Sequence, residues 1–139
     1  MALQNIIEYV TIASVGNATD FGDLIAPTSR LAGTSSSTRG VIGGGDSPAD
    51  STSTNVISYI TIATTGNATD FGDLTLARNN LTATSDQIRG VFGGGPNVAG
   101  GNTIDYVTIA SVGNATDFGD LTTNRYNISS GSNGHGGLQ

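Results

Sequence analysis

The chain has 139 residues, 36% of them hydrophobic and 12% charged, which is long enough for one domain with a core but hardly for two. Five arginines, no lysine and eleven acids give a net charge of -6, and this argues against a nucleic-acid partner, because phosphate contacts need clustered cations. The absence of cysteine excludes disulfides and thiolate metal sites.

Low hydrophobicity alone would suggest disorder, but disordered chains combine it with high net charge. Here β-branched residues recur at fixed places instead, and an ordered, turn-rich β protein is expected. The opening MALQNIIEYV lacks a basic n-region and a long apolar core, so no signal peptide is expected. No apolar run is long enough to span a bilayer, and no membrane insertion is expected.

In chain order, the first segment is IIEYVTIASVG from Ile6, followed by NATDFGDL from Asn17. The octapeptide returns verbatim from Asn67 and Asn114, at intervals of 50 and 47 residues, each time after a Tyr segment: VISYITIATTG and TIDYVTIASVG. A second block, TRGVIGGG from Thr38, returns as IRGVFGGG from Ile88, and GHGGLQ stands at the matching place near the end. The three-residue difference in period falls between the glycine triplet and the Tyr segment, where a loop absorbs it. The chain is one repeat domain, residues 1–139, with units of about 1–45, 46–95 and 96–139.

Alternation marks the strands. Across Thr103 to Ala110, Ile104, Tyr106, Thr108 and Ala110 share one face while Asp105, Val107 and Ile109 share the other. Apolar groups on both faces predict a strand covered on both sides. Gly113-Asn114 is a turn dipeptide, and a short segment follows around Phe118 to Leu121. Arg89 to Phe92 reads as an inner strand ended by glycines, preceded by a weaker strand around Asn80 to Ser85. Roughly four short strands per unit result: an all-β chain of three tandem four-stranded repeats.

Four strands in a period of 47 to 50 residues match the spacing of propeller blades. The Gly-Gly-ended strand, variable loop and later Tyr and aromatic positions resemble kelch-type repeats. RGVFGGG…IDYVTIASVGNATDFGDL resembles more closely the kelch-like repeats of structural and tail-fibre proteins of tailed phages, notably those of marine cyanobacteria. The likeness covers nearly the whole chain, departing in having no Trp and in placing Phe21, Phe71 or Phe118 farther from the Tyr than usual. It implies a blade-like fold and a virion component.

By alignment Met1 corresponds to about Val98 and Gln139 to Phe92, so the chain is close to three whole units cut inside one unit. Propellers have about four to eight blades, and three alone leave edges open. Two chains completing a six-bladed ring are therefore expected. A three-sheet β-prism is the alternative.

Motifs that invite chemistry have plainer readings. Asp-Phe-Gly at Asp20, Asp70 and Asp117 lacks the glycine-rich loop, strand lysine and HRD segment of a kinase. The pairs Asp20/Asp23, Asp70/Asp73 and Asp117/Asp120 fall short of a calcium loop; together with Asn17, Asn67 and Asn114 they read as turn caps on local backbone N–H groups. Gly43, Gly44, Gly93 and Gly94 belong to triplets followed by Asp46 and Pro96, not by a GK[ST] helix start, so they read as strand-end geometry. Arg39 and Arg89 are expected to pair with the repeated acids or to line a channel. His135, the one histidine, has no counterpart in the other units, and the NAT, NLT and NIS sequons carry no weight without a secretory signal.

No nucleophile, base or cofactor pattern emerges, and no enzyme, cofactor or metal site is expected. The copies diverge in Ile25 to Thr38 against Thr75 to Ile88, and in Asp46 to Asn55 against Pro96 to Asn102. Contacts are expected on these loops, at Asp46, Pro48, Asp50, Pro96 and Asn97. Expected partners are other copies of the chain, other virion proteins and a host surface glycan. The functional expectation is a fibre, decoration or adhesion module. The alternative is a lectin-like module with one shallow carbohydrate site per repeat, stacking on Tyr9, Tyr59 and Tyr106, which alternation places in mostly packed positions.

Overall fold

The computed structural model describes residues 4–47, 52–96 and 101–132, and every helix or strand among them is a β-strand. β1 (Ile6–Tyr9) and β2 (Thr19–Asp23) form a two-stranded sheet. β3 (Ala32–Ser35), β4 (Arg39–Gly43), β5 (Val56–Thr61) and β6 (Thr69–Asp73) form a four-stranded meander. β7 (Thr82–Ser85), β8 (Arg89–Gly93), β9 (Thr103–Thr108) and β10 (Thr116–Asp120) form a second one. All neighbouring strands are antiparallel.

Sheets and sequence units are out of phase. Each four-stranded sheet takes two strands around the glycine block of one unit and two strands, Tyr segment and octapeptide, from the next. The expected four strands are thus found together in two sheets, while β1 and β2 pair only with each other among the described residues. The strand expected around Asn80 to Ser85 is Thr82–Ser85, and the inner strand runs Arg89–Gly93.

The octapeptide strand begins at Thr116, two residues before the expected Phe118. Thr116 and Asp117 pair with Tyr106 and Asp105, and the register then skips Phe118 so that Gly119 faces Ile104. The same skip falls at Phe21 and Phe71. A β-bulge of this kind accentuates twist at a sheet edge, so the repeated Asp-Phe-Gly is a bulge built three times.

The core lies between the two four-stranded sheets. Val41, Ile57, Phe71, Leu74, Leu81, Phe92, Val107 and Ile109 form one buried cluster, with β3 set against β7. β9 is covered on one face, where Val107 and Ile109 are buried, but Ile104 and Tyr106 on the other are only half-buried, so the expected cover on both sides is met on one face only. Gly44 and Gly94 have φ of 68° and 70°, and a Cβ on either would lie 2.7 Å from the carbonyl oxygen of Arg78 or Arg125. Strand-end geometry and close backbone approach, not anion binding, account for both residues.

Candidate functional site

The octapeptides do their work between copies. Gly66 and Ala68 donate backbone N–H groups to the carbonyls of Phe21 and Asp23, at 2.7 and 2.8 Å. The Asn67 side-chain oxygen accepts the Asp23 N–H at 3.0 Å. One step along, Gly113 and Ala115 donate to Phe71 and Asp73 at 2.7 and 2.8 Å, and Asn114 accepts the Asp73 N–H at 3.1 Å. The expected local Asn caps are therefore cross-links, reaching 44 and 41 residues back. The reason is edge chemistry: a bulged edge strand has outward N–H and C=O groups that need partners, and the next copy's Gly-Asn-Ala supplies all three.

Glycine is required at the bulge because the next copy comes so close. A Cβ on Gly72, whose φ is 142°, would stand 2.5 Å from the Gly113 carbonyl carbon and oxygen. Gly22 is crowded in the same way by the Gly66 carbonyl.

The Tyr and Phe of each copy meet edge to face, with centroids 6.0 Å apart for Tyr9–Phe21 and 5.9 Å apart for Tyr59–Phe71 and Tyr106–Phe118. Such pairs add about 0.5–1.5 kcal/mol beyond burial. Arg39 and Arg89 lie over Tyr59 and Tyr106, 4.6 and 5.0 Å from the ring centroids, rather than pairing with the repeated acids. Arg39 also donates to the Ile109 carbonyl of the next sheet at 2.9 Å. Asp20, Asp70 and Asp117 are exposed, and among the described residues no three His, Cys, Asp or Glu side chains converge as a metal site.

Asp46, expected on a contact loop, is 7% exposed. Its carboxylate accepts from Arg30 at 3.0 Å, Asn79 at 2.6 Å and Ser53 at 3.3 Å, tying three connections together. Pro96 is exposed, whereas Pro48, Asp50, Asn97 and His135 lie outside the described residues.

One buried feature is absent from the sequence expectations. Arg78 and Asp105 are both fully buried and form an ion pair at 2.7 Å. Arg78 also donates to the carbonyls of Gly94, Thr103 and Phe92 at 3.1, 2.6 and 3.3 Å. Asp105 accepts from the Thr75 N–H and hydroxyl at 3.2 and 2.5 Å. Burial pushes the Arg78 guanidinium below its ordinary value, and Asp105 opposes the shift. The positions matching this pair one joint earlier hold Thr28 and Ser58, and there a cavity of about 220 Å³ opens, lined also by Leu24, Ile25, Leu31 and Val56. The signal available in the sequence was the departure from repetition itself, since charges appear where the copies differ.

Two shallow depressions recur at equivalent places. One is lined by Tyr59, Thr61, Thr64, Asn67 and Thr69, the other by Tyr106, Thr108, Ser111, Asn114 and Thr116. Compared with known proteins, the sequence matches no family model and no curated protein.

Proposed function

We propose that the chain is a non-enzymatic virion component of a tailed phage, a fibre, decoration or adhesion module whose blade-like sheets serve as a scaffold for its loops. The observation that carries this reading is the joint. Identical residues in successive copies are spent on gripping the neighbouring copy, so repetition serves mechanical continuity, which is what an extracellular particle needs. The divergent loops then carry what is specific to one target. In this reading the meanders are propeller blades rather than faces of a prism, because the last strands of the first two sheets, β2 and β6, are each gripped by the sheet that follows.

Immunogold labelling with antibody to the folded chain tests it, on purified particles of a phage whose genome encodes this sequence. Label on capsid or tail is expected. The chain confined to the infected-cell lysate and absent from purified particles overturns it.

The paired depressions favour a second reading, a lectin-like module. Tyr, Asn and Ser/Thr side chains around a shallow hollow suit a sugar's apolar face and hydroxyls, and the hollow occurs once per Tyr segment in the two complete sheets. Saturable glycan-array binding lost on Tyr59→Ala and Tyr106→Ala would favour it over a purely structural role.

A further inference from the structure

Two joints are made within the chain, and the two halves of a third are present at opposite ends. The edge of β10 repeats the edge of β6, yet among the described residues no segment grips Phe118 or Asp120 as Gly113-Asn114-Ala115 grips Phe71 and Asp73. Phe71 is 2% exposed and Phe118 54%. Gly119 keeps a φ of 136°, although a Cβ there would meet nothing within 4 Å. At the other end, Gly16-Asn17-Ala18 grips nothing among the described residues. Ile12 is 97% exposed, whereas its counterpart Ile109 is 1% exposed.

Charge says that these halves belong together. In register with the repeat, Arg78 corresponds to Arg125, Thr75 to Thr122 and Asp105 to Glu8. Arg125 is seated as Arg78 is: its carbonyl accepts the Gly95 N–H at 2.8 Å, as that of Arg78 accepts Gly45 at 2.9 Å. Both Arg125 and Glu8 are exposed, and neither takes part in an ion pair among the described residues. The first joint, closed within the chain, has the neutral Thr28 and Ser58 at these positions. An arginine and an acid thus recur at the one joint whose halves stand apart.

We propose that a second copy of this chain docks head to tail. Its Gly16-Asn17-Ala18 grips the Phe118–Asp120 edge of the first copy, and its Glu8 receives Arg125 and Thr122 of the first. Arg89, the counterpart of Arg39, then meets the carbonyl of the second copy's Ile12. The contact is heterologous, so copies either close into a ring or extend into a filament. The inference rests on the repeat-scaffold reading above and not on a place in a virion.

Sedimentation velocity and light scattering on the full chain, from micromolar to submillimolar, test it. The chain is expected at twice its own mass or a higher multiple. Glu8→Arg or Arg125→Glu alone should weaken association at least about tenfold, the scale expected for opposing like charges at a close pair. The double reversal should recover most of it. Asn17→Ala should weaken association without changing the urea transition of the isolated chain. A monomer throughout, or single reversals with unchanged association, overturns the docking. If the chain is monomeric while Asn114→Ala still lowers its stability, the scaffold stands and only the docking falls; a silent Asn114→Ala brings down the scaffold reading itself.

Discussion

Asp105→Ala is the sharpest probe of how neighbouring sheets are held. The carboxylate is fully buried and accepts three hydrogen bonds, two from Thr75 and one from Arg78. Removing it leaves a guanidinium with no exposure facing carbonyls alone, and its Nε already has no hydrogen-bond partner. Losing one partner of a buried pair costs about 3–5 kcal/mol, against a total of about 5–15 kcal/mol for an ordinary domain. Asp105→Ala should therefore move the urea midpoint far toward zero. Replacing the cation as well, in Arg78→Met/Asp105→Ala, removes the stranded charge and should restore a substantial part of the loss. The cycle must be strongly non-additive. A single variant costing less than about 1 kcal/mol, or a double variant less stable than the single, refutes the assignment of the pair as a mutually dependent buried unit.

Asn114→Ala should cost about 1 kcal/mol in urea titration, the net worth of the bond to Asp73, while Asn17→Ala should leave the isolated chain unchanged. Gly72→Ala should destabilise more than Gly119→Ala in the isolated chain: both residues have φ near +140°, but only Gly72 is crowded, by Gly113, and thermal melts at low concentration report the difference. Phe92→Ala should cost about 3–5 kcal/mol by urea titration, because the ring is fully buried in the cluster between the sheets. Asp86 accepts the N–H groups of Arg89 and Ile88 at 2.6 and 2.7 Å, which hold its carboxyl below the usual range. A carboxyl held lower in the folded chain contributes stability that is fully present above its unfolded pKa and is lost as pH falls from there through the folded pKa. Asp86→Asn should flatten that part of the acid-side loss in a pH series of melts.

Much of the fold was legible because repetition multiplies weak signals. One Tyr segment with apolar groups on both faces is ambiguous; three in the same phase with a verbatim octapeptide and glycine blocks fix strands and turns. The bulge was less legible, since Asp-Phe-Gly carries no alternation and only pairing shows that Phe118 is skipped. The Asn role was misplaced for a physical reason: an Asn beside a glycine usually bonds its own turn, and only the juxtaposition of edges sends Asn67 and Asn114 to the preceding copy. Arg39 and Arg89 were matched to acids by charge, whereas the sheet sets them on Tyr59 and Tyr106. Arg78 and Asp105 sit 27 residues apart on different elements, so no spacing rule links them.

Amide hydrogen exchange, resolved residue by residue in dilute solution, tests most directly whether each copy is held by the next. The N–H groups of Gly66, Gly113, Asp23 and Asp73 should exchange slowly and together, while those of Gly16 and Asp120 exchange fast and slow only at concentrations where copies associate. Fast exchange at Gly113 and Asp73 in the folded chain would contradict the account.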